Sequence, residues 1–94
     1  MRWLADVHVS LRPGIADPEG TTIEGGLRSL GYDSVTGVRT GKSLRIAFEA
    51  EDSTVADATV ADMCRRLLAN PVMEVATWEL RADETPDADE AIPA

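Results

Sequence analysis

Three consecutive residues, Gly41-Lys42-Ser43, are the closest approach in this chain to a phosphate-binding loop. Such a loop works because backbone amides freed by glycine, together with a lysine, surround phosphate oxygens at the start of a helix. Counting back to Gly37 leaves three intervening residues where the motif needs four. The residues from Leu44 to Phe48 then alternate in polarity, which is typical of a strand rather than a helix. The spacing therefore argues against a nucleotide-binding loop of this type.

The single histidine and the single cysteine also lack the neighbours that catalysis or metal binding requires. His8 falls on the polar face of a predicted strand, so a metal centre or a Ser-His-Asp site would have to form around one imidazole. Cys64 falls in the apolar stripe of a predicted helix, where a thiol behaves as a small buried hydrophobe with a raised pKa. One cysteine forms neither an internal disulfide nor a CxxC site. We expect no catalytic residue, cofactor or metal in this chain.

Composition limits the remaining classes of protein. The chain has 94 residues, with 17 acidic and 9 basic side chains and a net charge of −8. That charge is opposite to the footprint of a nucleic-acid-binding protein. No apolar stretch reaches the 18 or so residues that span a bilayer, and the N-terminus lacks the apolar run of a signal peptide. We expect a cytoplasmic protein with neither nucleic-acid nor membrane partners.

The charge is concentrated at one end. Residues 82–94 contain five carboxylates and no base. An acidic segment with prolines and alanines is typical of a solvated, disordered tail. General acid catalysis needs a partly desolvated carboxyl group with a raised pKa, which such a segment does not provide. We therefore predict a single domain over residues 1–81, followed by an acidic disordered tail over 82–94. A domain this small is marginally stable, which favours oligomerisation.

The spacing of apolar residues predicts elements in the order βαββαβ. The predicted elements are a strand over 2–12, a helix capped by Asp17 and Gly31, a hairpin of strands 35–40 and 44–50 joined at Gly41-Lys42, a helix between Thr54 and Asn70 with Leu67 in its apolar stripe, and a strand over 72–81. This order indicates an α+β fold of the ferredoxin-like type. We expect a two-layer sandwich in which a four-stranded antiparallel sheet carries two helices on one face.

Glycines are unusually frequent in the first predicted helix. Gly20, Gly25 and Gly26 each cost roughly 0.5–1 kcal/mol relative to alanine in a helix interior. Glycine allows two backbones to approach closely, so we expect the helix to lie close against the sheet. Approach of a ligand to the same backbone is the alternative.

Two sets of residues could contact other proteins. Arg39 and Lys42 flank the predicted hairpin tip, where they are either ordinary exposed charges or a grip on an acidic or phosphorylated partner. The last predicted strand is apolar on both faces, with Val75 on one and Trp78 on the other, so a second chain is expected to cover it and a homodimer is expected to form through the sheet. Trp78 is either a core residue or an interface anchor.

Four segments follow one another in an order and spacing similar to those of a known family. They are Asp17-Pro18-Glu19-Gly20, Leu30-Gly31-Tyr32, Val38-Arg39-Thr40-Gly41-Lys42 and the run from Cys64 to Glu74. Over about residues 2–81 the chain resembles PurS, the small subunit of phosphoribosylformylglycinamidine synthase. It departs from that family in Val75-Ala76-Thr77-Trp78, where a more polar strand with a tyrosine is frequent, and in the acidic tail.

The resemblance implies a non-catalytic subunit of a glutamine-dependent, ATP-consuming C–N ligase in purine biosynthesis. Such a subunit bridges a PurQ-type glutaminase and a PurL-type synthetase, and the synthetase binds ATP and magnesium. It also implies a cytoplasmic homodimer, with pairing of dimers into tetramers left open. Arg39, Gly41 and Lys42 match the family's hairpin motif, which implies a role in partner contact.

Two other classes of protein share this element order. An ACT-type regulatory domain would bind a small effector at a dimer interface. An acylphosphatase-like enzyme would need an arginine-bearing phosphate loop directly after the first strand, and Arg12-Pro13-Gly14 is a poor match to one. We therefore expect the bridging subunit, with the ACT-type domain as the alternative.

Overall fold

The computed structural model describes residues 1–83, and the predicted tail beyond Asp83 lies outside this range. The elements are β1 (Arg2–Leu11), α1 (Pro18–Ser29), β2 (Gly41–Glu49), α2 (Ser53–Met63), a π-helical turn continuing α2 (Cys64–Leu68), and β3 (Glu74–Ala82). Ala82, the first residue of the predicted tail, is thus the last residue of β3. The next residue, Asp83, forms an ion pair with Arg2, with 2.9 Å between Asp83 Oδ2 and Arg2 Nε.

The three strands form one antiparallel sheet in the order β2-β1-β3. In the centre of the sheet, Val7 of β1 lies opposite Leu44 of β2 and Trp78 of β3. Successive side chains of a strand point to opposite faces, and the alternating apolar residues of β1 all lie on the face that meets α2. Ala5 and Val7 are fully buried there. The predicted first strand is therefore confirmed, and it forms the centre of the core.

The predicted hairpin is wrong. Residues 35–40 form no strand, so the described part of the sheet has three strands rather than the predicted four. A two-residue hairpin at Gly41-Lys42 would need a positive φ at Gly41, but the glycines with positive φ are Gly14 and Gly31. Gly41 instead enters the ladder opposite Ser10. The α+β class is confirmed, whereas the four-stranded ferredoxin-like arrangement is not observed.

Helix α1 has both predicted caps. The Asp17 carboxylate accepts a hydrogen bond from the Gly20 N–H at 2.9 Å. At the other end Gly31 has φ 102°, and the Tyr32 N–H donates to the Leu27 carbonyl at 3.1 Å, which closes the helix. The expectation that both helices cover one face of the sheet is wrong, however. Helix α1 buries only Gly20 and makes no extensive contact with another element of residues 1–83.

Within residues 1–83, α2 is the helix that covers the sheet. Its N-cap is Asp52, whose carboxylate accepts a hydrogen bond from the Val55 N–H at 2.9 Å, so the helix begins at Ser53, one residue before the predicted start at Thr54. Val60 is fully buried against the sheet. The π-turn then inserts one extra residue, marked by the hydrogen bond from the Ala69 N–H to the Cys64 carbonyl at 3.1 Å. The extra residue changes the direction in which the side chains of this turn point. Leu67, which the helical spacing predicted in the core, is 83 % exposed.

Candidate interaction surface

The Asp17 carboxylate joins two of the motifs identified in the sequence. Besides capping α1, it accepts hydrogen bonds from the Thr40 N–H at 2.6 Å and from the Thr40 hydroxyl at 2.9 Å. The side chain of Asp17 is buried. The backbone N–H groups of Thr40 and Gly20 hold the pKa of Asp17 below its usual value of 3.8. The start of α1 and the start of β2 are therefore fixed to each other by one ionised carboxylate.

Two glycines make this close arrangement possible. A Cβ at Gly20 would overlap the Val38 carbonyl oxygen, and a Cβ at Gly41 would lie 2.6 Å from the Val9 carbonyl oxygen. The predicted close approach of the helix backbone to the sheet is not observed at Gly20, where the close neighbour is the 35–40 segment. It is wrong for Gly25 and Gly26, because no atom of the described chain lies within 4 Å of a Cβ built at either position.

Arg39 and Lys42, the two cations identified in the sequence, lie beside the contact between Asp17 and Thr40. Arg39 donates a hydrogen bond to the Arg12 carbonyl at 3.2 Å, and Arg12 donates to the Pro71 carbonyl at 2.8 Å. Lys42 is exposed on β2 opposite Val9. Within residues 1–83 neither Arg39 nor Lys42 forms an ion pair. These positive charges are thus held near the backbone of β1 and remain available to an external acidic group.

A shallow depression of about 520 Å³ adjoins the contact between Asp17 and Thr40. Its lining includes Lys42 but also Asp17, Glu19 and Glu74, so positive and negative groups face it together. This mixed lining is better suited to a protein surface with both kinds of charge than to a single phosphate.

The sheet face opposite α2 is polar. Asp6 lies at its centre, with its carboxylate 2.8 Å from Arg45 Nε and 3.0 Å from Arg81 Nη1. The hydrogen bond from Arg45, together with both positive charges, lowers the pKa of Asp6. Exposed His8 lies on the same face. Sequence reasoning missed the three-residue ion pair, because only the strand register brings Asp6 opposite Arg45.

The two predicted interface residues of β3 lie on opposite faces of the sheet. Trp78 is half-buried beside α2 and donates a hydrogen bond from Nε1 to the Asp57 carboxylate at 2.8 Å. Val75 lies on the polar face, opposite Ser10. Strand β1 separates Gly41 and Lys42 from the two residues of β3, although Gly41 and Val75 both lie opposite Ser10. The five predicted site residues therefore form two groups on the two sides of β1. One group is Arg39, Gly41 and Lys42, and the other is Val75 and Trp78.

The other side chains that could be nucleophiles or metal ligands do not form a site within residues 1–83. Cys64 is 6 % exposed, and burial raises the pKa of its thiol, in line with the predicted packing role. Among residues 1–83, no three His, Cys, Asp or Glu side chains are grouped in a way that could hold a metal ion. Over the same range, no helix combines the length and apolar character needed to cross a bilayer.

The fold and the surface described above place the protein in the class of small α+β domains. Its antiparallel sheet is covered by α2, and α1 projects from it. Within that class, a family model described as PurS, phosphoribosylformylglycinamidine (FGAM) synthase, matches residues 4–82. The PurS subunit of this synthase from Synechocystis is 44 % identical over 78 residues, covering 83 % of this chain and 78 % of that protein.

Solved structures agree with the family model. PurS from Methanocaldococcus jannaschii, described as a subunit of formylglycinamide ribonucleotide amidotransferase in the purine biosynthetic pathway, matches with a TM-score of 0.78 at 34 % identity, covering 87 % of this chain and 99 % of that chain. A chain in the structure of PurLQS from Thermotoga maritima matches with a TM-score of 0.74 at 36 % identity, covering 86 % and 96 %.

The chain belongs to the PurS family and is a subunit of FGAM synthase, a ligase complex of purine biosynthesis. The resemblance stated from the sequence is confirmed. The alternative of an ACT-type regulatory domain is not supported by these comparisons.

Proposed function

We propose that this chain is a non-catalytic bridge that holds a PurQ-type glutaminase against a PurL-type synthetase. The observation that carries the proposal is its likeness to a chain of the Thermotoga PurLQS structure over nearly the whole length of that chain. The exposed cations Arg39 and Lys42 supply a surface that an acidic segment of either partner could contact.

The chemistry of the reaction explains why a bridge is useful. ATP and magnesium, bound by the synthetase, activate the substrate amide by phosphorylation at its oxygen. Ammonia released from glutamine then attacks the amide carbon, and phosphate leaves to give the amidine. In water at pH 7 most ammonia is protonated and has no lone pair for this attack, so the two active sites need to be held together with water excluded between them.

We further propose that the chain functions as a cytoplasmic homodimer built through its sheet. Both outer strands of the described sheet, β2 and β3, present one edge without a strand partner. Such edges pair readily with another chain. Two copies joined in this way would also present the cations at Arg39 and Lys42 twice, and further pairing of dimers into tetramers would multiply them again.

Reconstitution of the complex tests the bridging role. Glutaminase and synthetase are mixed with or without this chain, and formation of the amidine is measured with glutamine or with excess ammonium as nitrogen donor. We expect glutamine-dependent turnover to fall at least tenfold without the chain, whereas ammonium-dependent turnover persists, because ammonium does not require the glutaminase. Glutamine-dependent turnover at an unchanged rate would contradict the proposal.

A further inference from the structure

A second depression lies where β2 begins, and we call it the β2 basin. It has a volume of about 310 Å³ and is bordered by residues 8–10 of β1 and by residues 39–43. Its lining contains two cations, Arg39 and Lys42, together with His8 and hydroxyl groups. None of the described residues that line it is acidic, in contrast to the larger depression described above. The β2 basin is therefore a positively charged surface.

The side chains of the β2 basin have hydrogen-bond donors that the fold leaves unused. Within residues 1–83, the hydroxyl groups of Ser10 and Ser43 and the imidazole of His8 form no hydrogen bond. Lys42 forms neither a hydrogen bond nor an ion pair over the same range. Arg39 donates to one backbone carbonyl, whereas a guanidinium has five N–H groups. Donors from both β1 and β2 are thus available to an acceptor from outside.

The backbone around the β2 basin is held in place before any ligand binds. The N–H and the hydroxyl of Thr40 donate to Asp17 at 2.6 Å and 2.9 Å, and Gly41 enters the ladder opposite Ser10. Because both donors of Thr40 are already bonded, they fix the position of its neighbours without contacting a ligand. A site that is ordered beforehand loses less conformational freedom on binding, which favours affinity.

Gly41 keeps the β2 basin open. A Cβ at this position would lie 2.6 Å from the Val9 carbonyl oxygen and 3.4 Å from the Ser10 Cβ. A side chain at position 41 would also share the sheet face of Ser10 and Ser43, because side chains two residues apart on a strand point the same way. Glycine therefore leaves space beside the two hydroxyl groups.

Neighbouring carboxylates do not neutralise the two cations. Asp6 lies on the same face of the sheet, but its charge is matched by Arg45 at 2.8 Å and by Arg81 at 3.0 Å. Exposed Glu79 is on β3, across β1 from residues 39–43. The buried carboxylate of Asp17 lines the other depression and already accepts bonds from backbone N–H groups.

We propose that the β2 basin binds the phosphate group of a small molecule. Arg39 and Lys42 supply two positive charges, and the hydrogen-bond donors are the side chains of His8, Ser10 and Ser43. A phosphomonoester carries a charge of about −1.5 to −2 at pH 7 and three strong acceptor oxygens. The donors of the basin match that charge and that number of oxygens better than they match a carboxylate, which has one charge and two oxygens.

This site differs from the nucleotide-binding loop that the sequence argues against. Its lysine lies on a strand rather than at the start of a helix, and its other donors come from a neighbouring strand. The inference also goes beyond the bridging role proposed above. An acidic segment of a partner would compete with phosphate for Arg39 and Lys42.

Titration of the full chain with inorganic phosphate tests the site by two-dimensional ¹H–¹⁵N NMR, with chloride used to keep the ionic strength constant. We expect saturable shifts of the amide signals of residues 8–10 and 39–43. Lys42→Gln should raise the dissociation constant at least fivefold, whereas Lys42→Arg, which keeps the charge, should change it less than twofold. Arg66→Gln removes an exposed cation from the π-turn and is the matched control, with an expected change below twofold. The same spectra establish that each variant is folded.

Two further ligands identify the chemical source of the anion. Equal dissociation constants for ribose 5-phosphate and inorganic phosphate would show that the phosphate group alone is recognised, and tighter binding of the sugar phosphate would identify an organic phosphomonoester as the ligand. Both results support the inference. Succinate that binds as tightly as phosphate would assign the β2 basin to carboxylates of a partner protein and would overturn it.

A merely nonspecific association has a distinct signature. Shifts that do not saturate, or that occur equally at exposed cations elsewhere in residues 1–83, would indicate an adventitious ion only and overturn the inference. Unchanged binding by Lys42→Gln would overturn it as well. These titrations contain neither glutaminase nor synthetase, so a negative result leaves the bridging role standing, and failure of the reconstitution leaves the phosphate site standing.

Discussion

At the scale of single residues, Asp17 connects two separate parts of the chain. Its carboxylate is at once the N-cap of α1 and the acceptor for the backbone and hydroxyl of Thr40. The cap could be predicted from the Asp17-Pro18 pair, because an aspartate before a helix-starting proline is a typical N-cap. The second role could not, because Thr40 is 23 positions away and only the path of the intervening chain brings it there.

The pH dependence of stability should report this carboxylate. Because the pKa of Asp17 is lower in the folded chain than its usual 3.8, its ionised form stabilises the fold. That contribution is complete above the unfolded-state pKa, declines as the pH falls below it and is lost below the folded-state pKa. We expect urea unfolding of the wild type to show a steeper loss of stability between about pH 5 and pH 2 than Asp17→Asn does.

Exposed Asp33 supplies the control for this measurement. Asp33→Asn should retain the wild-type pH slope, whereas Asp17→Asn should also be less stable at pH 7, because an amide offers one acceptor oxygen in place of two. Parallel pH profiles for the wild type and Asp17→Asn would show that ionisation of Asp17 does not stabilise the fold.

At the scale of elements, the spacing of apolar residues led to one wrong prediction for α1 and another for α2. Both caps of α1 were predicted correctly, since caps depend on neighbouring residues. The position of α1 relative to the sheet was predicted wrongly, since an apolar stripe specifies that a surface is covered but not by which chain. In α2 the spacing placed Leu67 in the core, and the π-turn at Cys64–Leu68 moved it into solvent.

The glycines of α1 provide a matched pair of substitutions. Gly20→Ala should destabilise the chain, because its Cβ would meet the Val38 carbonyl oxygen, a backbone atom that cannot rotate away. Gly25→Ala meets no atom within 4 Å and should stabilise the chain by about 0.5–1 kcal/mol, the helix preference for alanine. The free energy of unfolding in urea distinguishes the two. Equal effects would mean that the contact between Gly20 and Val38 is not maintained in solution.

At the scale of the whole molecule, charge is distributed unevenly. The chain carries a net charge of −8, yet Arg39 and Lys42 form no ion pair within residues 1–83. Two exposed cations on an otherwise acidic protein favour one orientation of approach by an acidic partner and reject others. Assembly with the larger subunits is therefore expected to depend on these cations and to weaken with salt.

Charge reversal tests this expectation. The double variant Arg39→Glu with Lys42→Glu should weaken assembly of the three-subunit complex at least tenfold, measured by co-elution at low salt, while the homodimer stays intact. Arg65→Glu with Arg66→Glu, in the π-turn that follows α2, makes the same change in net charge and is the control. It loses exposed ion pairs to Asp62, which contribute little to stability. Equal retention of assembly in both variants would show that Arg39 and Lys42 are ordinary surface charges.

The sequence alone determined the central strand, the α1 caps and the family, because each depends on residues that are neighbours or recur at a fixed spacing. Only the tertiary structure decided that residues 35–40 form no strand, that Asp17 binds Thr40 and that Asp6 lies between Arg45 and Arg81. The physical reason is common to all three. Each depends on which distant backbone groups satisfy one another's hydrogen bonds and charges, and that selection is made by the packing of the whole chain.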